Sequence, residues 1–153
     1  MQRGPAALAP RRARASDLPA LLAVEAHFPG DRLGARQFRH HLRNPRARLR
    51  VLAGAGVIAG YSLILLRAGS RRARLYSIAL DPAWRGRGFG ALLLADAEVQ
   101  ARRAGASAMR LEVRADNLAA TALYEARGYR RIVFLPGYYE DGGDGWRYEK
   151  SFA

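Results

Sequence analysis

A six-residue turn, RGRGFG, joins a strand pattern to a helix pattern in the middle of the chain and constrains the fold more than any other segment. Residues 75–80 read LYSIAL, typical of a β-strand, and residues 88–103 carry apolar side chains at helical spacing. The first N–H groups of a helix have no partner within it and carry partial positive charge, and glycine lets a ligand approach them. The turn therefore predicts a phosphate-binding site at a helix N-terminus.

Two common kinds of phosphate site, and a turn that binds nothing, can be compared with this glycine-rich turn. Gly86-x-Gly88-x-x-Ala91 matches the dinucleotide fingerprint, and Glu112 lies roughly the expected ~20 residues further on. In the dinucleotide fold, however, the glycines follow the strand almost at once, whereas residues 81–85 intervene here. A mononucleotide P-loop would need Gly-Lys-Ser/Thr, which is absent. A turn that only reverses the chain would explain the glycines but not the arginines between them.

The remaining patterns predict a mixed α/β fold. A strand at residues 11–15 and two short helices come first, followed by three strands in an antiparallel meander that ends at residues 74–80. Helix 88–103, with Leu92 among its inward residues, crosses to a strand at residues 109–114. The full order is β-α-α-β-β-β-α-β-α-β-β. It predicts a central, mostly antiparallel sheet of about seven strands flanked by about four helices.

Length and composition limit the class of protein. A chain of 153 residues suits one domain, 1–153, and residues 1–10 are expected to form a loose tail. The absence of cysteine excludes thiol nucleophiles, disulfides and cysteine-based zinc sites. No apolar run is long enough to cross a membrane, and the N-terminus lacks a signal-peptide core. A cytoplasmic protein with no membrane partner is expected.

The charge balance is strongly basic. The net charge is +13, and all of the 26 basic residues except Lys150 are arginine. Arginine pairs are scattered along the chain, which favours a bias in genomic base composition over a nucleic-acid function, so nucleic acid is not an expected partner. Such a surface still attracts anionic ligands and repels a strongly basic protein substrate.

The turn and its surroundings resemble motif A of the GNAT superfamily of N-acetyltransferases. The matching residues are Arg85-x-x-Gly88-x-Gly90, which follow a strand ending in Asp81-Pro82 and precede an amphipathic helix. In that superfamily the turn wraps the pyrophosphate of acetyl-CoA. The resemblance implies a GNAT acyl-CoA N-acyltransferase fold and acetyl-CoA as cosubstrate, with no metal.

A second segment narrows the resemblance. Residues 111–129, LEVRADNLAATALYEARGY, resemble the RimI-like branch, which acetylates the N-terminal α-amines of proteins, and the likeness in element order extends over residues 11–152. It implies direct attack in a ternary complex, with a protein or peptide α-amine as acceptor. A small-molecule amine or a lysine side chain is the alternative acceptor. A catalytically silent acyl-CoA-binding module is the alternative from another class.

The resemblance implies a set of donor-binding residues. Backbone N–H groups of the turn would hold the pyrophosphate, and the strand before it would pair with the pantetheine arm and polarise the thioester. The residues implied are Arg85, Gly86, Arg87, Gly88, Phe89 and Gly90 in the turn, Ile78, Ala79 and Leu80 in the strand, and Asn117.

Two residues are implied in catalysis. Glu112 lies on the polar face of its strand and matches the family's general base; a salt bridge with Arg110, Arg114 or a neighbouring strand is the alternative. Tyr124 matches the family's acid, which protonates the CoA sulfur, and lies on one helix stripe with Asn117. A helix cap for Asn117 and a half-buried aromatic for Tyr124 are the structural alternatives.

Three residues are implied on the acceptor side. Tyr138 and Tyr139 lie in a loop where RimI-like enzymes contact the substrate peptide, and Glu25 lies where the superfamily often lines the acceptor cleft. Packing at the base of the loop is the alternative for one of the tyrosines. The three histidines show no metal-binding spacing with carboxylates. A monomer or homodimer is expected.

Overall fold

One seven-stranded sheet runs through the computed structural model, which describes residues 7–28, 30 and 32–152. The strands are β1 (Ala9–Arg12), β2 (Ala47–Gly54), β3 (Val57–Leu65), β4 (Arg72–Leu80), β5 (Ala108–Arg114), β6 (Arg130–Leu135) and β7 (Gly145–Ser151). Their order in the sheet is β1-β2-β3-β4-β5-β7-β6. All neighbours are antiparallel except β4 and β5, which are parallel.

The described residues form four α-helices, which cover both faces of the sheet. They are α1 (Leu18–Glu25), α2 (Ala35–Arg43), α3 (Phe89–Arg103) and α4 (Leu118–Ala126). Helices α1 and α2 contribute Leu21, Val24 and Phe38 to one buried cluster. Helices α3 and α4 contribute to another, which also holds the inward residues of β5. The sheet is therefore the middle layer, with α1 and α2 on one face and α3 and α4 on the other.

The predicted fold class is confirmed, with corrections in detail. The first strand was expected at residues 11–15, but β1 begins at Ala9 and pairs with β2 from Ala9↔Ala53 onward. Residues 9 and 10 thus belong to the sheet and not to a tail, because backbone pairing with β2 holds them; residues 1–6 of that tail lie outside the described residues. In α3, Leu92 is 39% exposed and Leu94 is buried instead.

The sheet opens at β4. Its pairing with β5 runs from Arg72↔Ala108 to Leu75↔Leu111 and stops, although both strands continue. At the same point Tyr76 has no partner in β3, where consecutive residues pair with Ser77 and Leu75. One extra residue of this kind is a β-bulge, which bends the strand and re-aims the side chains after it. The C-terminal halves of β4 and β5 are therefore unpaired with each other and border a cleft.

The bulge also changes which face each β4 side chain occupies. Before it, Ala73 and Leu75 pack on the side of α3 and α4; after it, Ile78 packs there. Ala79 instead packs with α1 and α2. Strict alternation from Leu75 would have kept residues 77 and 79 on the α3 side. The bulge therefore turns Ser77 toward the α1 side of the sheet.

None of the helices within the described part of the chain is long and apolar enough to cross a membrane. The cytoplasmic location and the single domain spanning 1–153 stay predictions.

Candidate active site

A cavity of about 740 Å³ occupies the opening between β4 and β5. It extends from the turn before α3 to the start of α4 and reaches both faces of the sheet. Ten of the residues implied from sequence line it: Ile78, Ala79, Leu80, Arg85, Gly86, Gly90, Glu112, Asn117, Tyr124 and Tyr139. Arg87, Gly88 and Phe89 belong to the same turn but do not line the cavity.

The turn before α3 leaves backbone N–H groups available to a ligand that accepts hydrogen bonds. Gly86 and Gly88 have φ of +77° and +81°, a region that favours glycine, and Gly88 is the N-cap of α3. No side chain caps this helix end. The N–H groups of its first turn, at Phe89, Gly90 and Ala91, therefore have no acceptor within the helix. They form an anion-binding end that the protein itself leaves uncapped.

Two arginines flank this helix end and pair with no carboxylate of the described residues. The Arg85 guanidinium carbon lies 5.5 Å from the centre of the Phe28 ring, and that of Arg87 lies 5.2 Å from the centre of the Trp84 ring. Within the described residues, neither arginine forms a salt bridge. Stacking fixes these cations and leaves their charge uncompensated. The turn thus fits a pyrophosphate in both shape and charge.

The strand before the turn offers a backbone edge. Ile78, Ala79 and Leu80 pair with β3 on one side, through Ser62, Tyr61 and Gly60. On the other side, β5 no longer pairs with them. Unpaired strand N–H and C=O groups form a row to which an extended amide-containing arm can bond. This edge fits the pantetheine arm of a coenzyme A thioester.

Glu112 is both an ion-pairing residue and a cavity residue. Its carboxylate oxygens lie 3.5 Å from Arg74 Nε and 3.5 Å from Arg147 Nη2, on the strands to either side, and its side chain is only 9% exposed. The salt-bridge alternative is thus realised with neighbouring strands, while Arg110 and Arg114 pair with other acids. The same carboxylate lines the cleft, so ion pairing and a catalytic role are compatible.

Tyr124 and Asn117 lie across the cleft on α4. Asn117 Oδ1 accepts a hydrogen bond from the Ala120 N–H at 3.1 Å, which makes it the helix cap expected from sequence. Tyr124 is buried, and loss of solvation raises the pKa of its hydroxyl above the ordinary value of 10.0. No described residue hydrogen-bonds to this hydroxyl. The hydroxyl therefore stays protonated and can donate a hydrogen bond to a ligand in the cavity.

A second cavity of about 300 Å³ adjoins the first on the α1 side of the sheet. Tyr76, Ser77, Glu112, Arg114 and Tyr139 line both. The three residues implied for the acceptor side, Glu25, Tyr138 and Tyr139, are all part of its wall. Most residues implied for the donor side thus line the first cavity and those implied for the acceptor side line the second, and Glu112 lies in the wall of both.

The loop between β6 and β7, residues 136–144, contacts the end of β5 and is called the aromatic loop. The Arg114 guanidinium carbon lies 4.3 Å from the centre of the Tyr139 ring, and Arg114 Nη1 lies 3.0 Å from Asp141 Oδ2. The Tyr138 and Tyr139 rings meet edge to face at 5.0 Å between centroids. Burial raises the pKa of Tyr139 to about 12. Arg114 therefore neutralises Asp141, one of the acidic residues of this loop.

Sequence analysis missed several residues of the two cavities. Arg74 and Ser77 reach them from β4, Arg114 from the end of β5, and Leu33 from the α1–α2 loop. The sequence showed only that Ser77 lies on the strand before the glycine turn. It did not show to which face of the sheet the side chain points. Among the described residues, no group of three or more His, Asp or Glu side chains could hold a metal ion.

Comparison with known proteins identifies a family. Residues 16–129 match the model of the Acetyltransferase (GNAT) family. The chain is 34% identical over 108 residues to the N-alpha-acetyltransferase RimI of Mycobacterium tuberculosis, covering 69% of this chain and 66% of that protein. It is 30% identical over 135 residues to a Bacillus subtilis protein described as a putative [ribosomal protein bS18]-alanine N-acetyltransferase, covering 88% of each.

A solved structure shares the fold over nearly the whole chain. The crystal structure of the ribosomal-protein-S18-alanine N-acetyltransferase from Escherichia coli superposes with a TM-score of 0.85 at 26% identity, covering 96% of this chain and 95% of that chain. By sequence, the match spans 45% of the Escherichia coli enzyme and 18% of an uncharacterised Mycobacterium leprae protein. The chain thus spans less than two thirds of several curated relatives it matches.

Proposed function

Because the chain belongs to the GNAT family of acetyltransferases, we propose that it transfers the acetyl group of acetyl-CoA to the α-amine at the N-terminus of a protein. The observation that carries the proposal is the junction of two cavities at Glu112, one lined by the glycine turn and the other by the aromatic loop. The acceptor class is supported by the relatives, whose names describe an N-alpha-acetyltransferase and a putative ribosomal-protein alanine N-acetyltransferase.

On the donor side, the chain binds and orients. The N–H groups at the start of α3 hold the pyrophosphate, and Arg85 and Arg87 add charge. The open edge of β4 holds the pantetheine arm and offers an N–H to the thioester carbonyl. A donor of that kind is worth about 3 kcal/mol in oxyanion sites. Acetyl-CoA, when bound, supplies an activated acetyl thioester.

On the acceptor side, the chain moves protons. An α-amine is largely protonated below its ordinary pKa of about 8, so it must lose a proton before it attacks. Glu112 takes that proton, directly or through a water molecule, from the acceptor cavity. Tyr124 lies on the opposite wall and donates its hydroxyl proton to the departing sulfur. The two groups face the cleft from different sides, as a base and an acid in one transfer must.

Binding of the donor is tested by thermal unfolding. Acetyl-CoA at about 100 times its Kd should stabilise the native protein by about 2.7 kcal/mol. For a chain of this size we expect a Tm increase of about 5–10 °C. CoA release is then measured with alanine-initiated peptides, their N-terminally blocked forms, free lysine and simple amines. Release with blocked peptides that carry a lysine side chain would contradict the α-amine acceptor, and absence of any stabilisation would overturn the donor.

Glu112 is tested by Glu112→Gln. We expect kcat/KM for the peptide to fall by about 100-fold or more, since removing a general base commonly costs that much, while acetyl-CoA still raises Tm. Glu149→Gln is the matched control, because Glu149 pairs with Arg72 and Arg110 on the same sheet but lines neither cavity of the cleft. An unchanged rate in Glu112→Gln would favour a structural carboxylate.

Tyr124 is tested by Tyr124→Phe. Loss of the donor should lower kcat by about 100-fold with little change in peptide KM. Tyr129→Phe is the control: Tyr129 is also buried, but its hydroxyl donates to Glu98 Oε2 at 3.1 Å, away from the cleft. Equal effects of the two changes would reduce Tyr124 to a packing residue.

A further inference from the structure

A chain of three hydrogen-bonded side chains leads from the core of the protein to the acceptor cavity. Glu25 on α1 accepts a hydrogen bond from the buried Tyr61 hydroxyl. The Tyr61 oxygen lies 2.7 Å from Ser77 Oγ, and Ser77 lines both cavities of the cleft. Tyr61 itself has no exposed surface. The chain thus links a carboxylate, a buried phenol and a serine at the junction where donor and acceptor meet.

The direction of these hydrogen bonds follows from the chemistry of the groups. The Leu33 N–H donates a hydrogen bond to Glu25 Oε2 at 2.8 Å. Glu25 Oε1 accepts the hydrogen bond of the Tyr61 hydroxyl, since a carboxylate oxygen only accepts. Burial, and then the Glu25 charge, raise the pKa of Tyr61, so the phenol keeps its proton. Because that proton points to Glu25, the Tyr61 oxygen is free to accept from Ser77. The Ser77 proton is therefore committed to Tyr61.

Ser77 consequently presents only lone pairs to the cleft. A serine whose proton is already donated can accept a hydrogen bond from a ligand but cannot give one. The β-bulge at Tyr76 turns this oxygen toward the acceptor side of the sheet. Its position beside Ile78, on the strand edge that fits the pantetheine arm, places it near the reacting ends of both substrates.

We propose that Ser77, held by Tyr61 and Glu25, is a positioning residue that accepts a hydrogen bond from the N–H of the acceptor amine. This inference rests on the proposed function. An amine that donates to Ser77 has its orientation fixed, whereas an ester or an alkyl group at the same place has no N–H to donate. The buried chain thus selects for a free amine at the position where attack begins, while Glu112 removes the proton.

The contact is tested by binding in the presence of CoA, without turnover. The probes are a neutral hexapeptide that begins with alanine and its analogue in which a propionyl group replaces the alanyl group, so that only the amine is missing. Ser77→Ala should weaken binding of the amine peptide by about tenfold and leave the propionyl peptide unchanged. Ser62→Ala should change neither, since Ser62 is buried on β3 and its hydroxyl bonds to none of the described residues.

A second variant tests the direction of the chain. In Glu25→Gln the amide oxygen must accept from the Leu33 N–H, which turns the amide NH₂ toward Tyr61. The phenol then accepts from the glutamine and donates to Ser77, whose proton turns into the cleft. We expect the amine peptide to lose at least as much affinity as in Ser77→Ala, although every side chain keeps its size. Tyr61→Phe should give a smaller loss, because Ser77 becomes free to rotate.

The outcomes separate this inference from the function on which it rests. A wild-type protein that binds or acetylates no amine peptide overturns the proposed acceptor and the inference together. If the wild type acetylates the peptide but Ser77→Ala weakens both probes equally, or neither, the Ser77 contact alone is wrong. Loss confined to the amine peptide in Ser77→Ala and Glu25→Gln, with acetyl-CoA still raising Tm, supports it.

Discussion

Two buried tyrosines, Tyr124 and Tyr129, differ in the hydrogen bonds that their hydroxyl groups form. Tyr124 and Tyr129 are both buried, and burial raises the pKa of both hydroxyls. The Tyr129 hydroxyl donates a hydrogen bond to Glu98, whereas the Tyr124 hydroxyl faces the cleft and has no described partner. A hydroxyl that opens on a cavity and has no protein partner can donate its hydrogen bond to a ligand there. At the residue scale, this difference supports the proposed role of Tyr124 and gives Tyr129 none.

The partly buried ion pair between Arg11 on β1 and Asp17 before α1 gives a prediction about stability and pH. Asp17 accepts from Arg11 Nη1 and Nη2 at 2.8 and 2.9 Å and from the Arg14 N–H at 2.7 Å. The Arg11 hydrogen bonds, chiefly, lower the pKa of Asp17 below its ordinary 3.8. Asp17→Asn should reduce the free energy of unfolding by about 1–2 kcal/mol at pH 7.

The sign of the pH dependence follows from the lowered pKa. A carboxylate with a lowered folded-state pKa stabilises fully above its unfolded value, and that stability is lost as pH falls through the folded value. The difference between wild type and Asp17→Asn in urea titrations should therefore be full above about pH 4 and shrink as pH falls further, through the lowered pKa of Asp17. Asp116→Asn, an exposed aspartate whose carboxylate has no described hydrogen bond, should match wild type throughout. A difference that persists undiminished at low pH would contradict the assignment.

At the scale of elements, two local features make the cleft. The bulge at Tyr76 ends the pairing of β4 with β5, and the turn before α3 leaves a helix end uncapped beside the resulting gap. The sheet continues past the gap, because β5 pairs with β7 over its whole length. The cleft is thus an opening in a layer that is anchored on both sides, which keeps its walls in fixed positions.

Gly88 and Gly105 provide a matched pair at the two ends of α3. Both have a positive φ, +81° and +92°, and neither has an atom within 4 Å of the place where a Cβ would sit. Alanine at either position should lower the free energy of unfolding by about 1 kcal/mol, because the left-handed conformation strains an L-residue. Only Gly88→Ala should reduce the Tm increase that acetyl-CoA produces. If Gly105→Ala reduced the Tm increase equally, the turn at Gly88 would have no specific part in binding acetyl-CoA.

For the whole molecule, charge is the dominant property. The net charge of +13 attracts the anionic donor and, through the same field, acidic peptides. In the acceptor cavity, Glu112 is offset by Arg74 and Arg147, so the cavity does not reverse this field locally. The protein should therefore discriminate among acceptors by the charge that follows their first residue.

Salt dependence tests this field. When NaCl is raised from about 50 mM to about 300 mM, kcat/KM should fall for a peptide with acidic residues after its N-terminal alanine and rise for the lysine-containing counterpart. The two peptides should converge as screening increases, with acetyl-CoA held saturating. Parallel salt dependences would show that the net charge has no part in acceptor choice.

Much of this molecule follows from local sequence rules. Alternation predicts β5 and its polar Glu112, an Asn–helix pattern predicts the Asn117 cap, and the glycine turn predicts the start of α3. Each is a relation between residues a few positions apart, so one sequence is enough to see it. The resemblance to the GNAT superfamily added the expected ligand and site residues, while the order of the strands in the sheet came from the structure alone.

What the sequence did not show depends on pairing between strands. The bulge at Tyr76 exists because β3 and β4 pair with one residue out of register, and it changes the faces of all β4 residues after it. The link from Glu25 through Tyr61 to Ser77 joins residues 36 and 16 positions apart in the chain. The turn that opens α3 was determined by the sequence alone. The cleft beside it was decided by tertiary structure, since register and side-chain direction are properties of the assembled sheet.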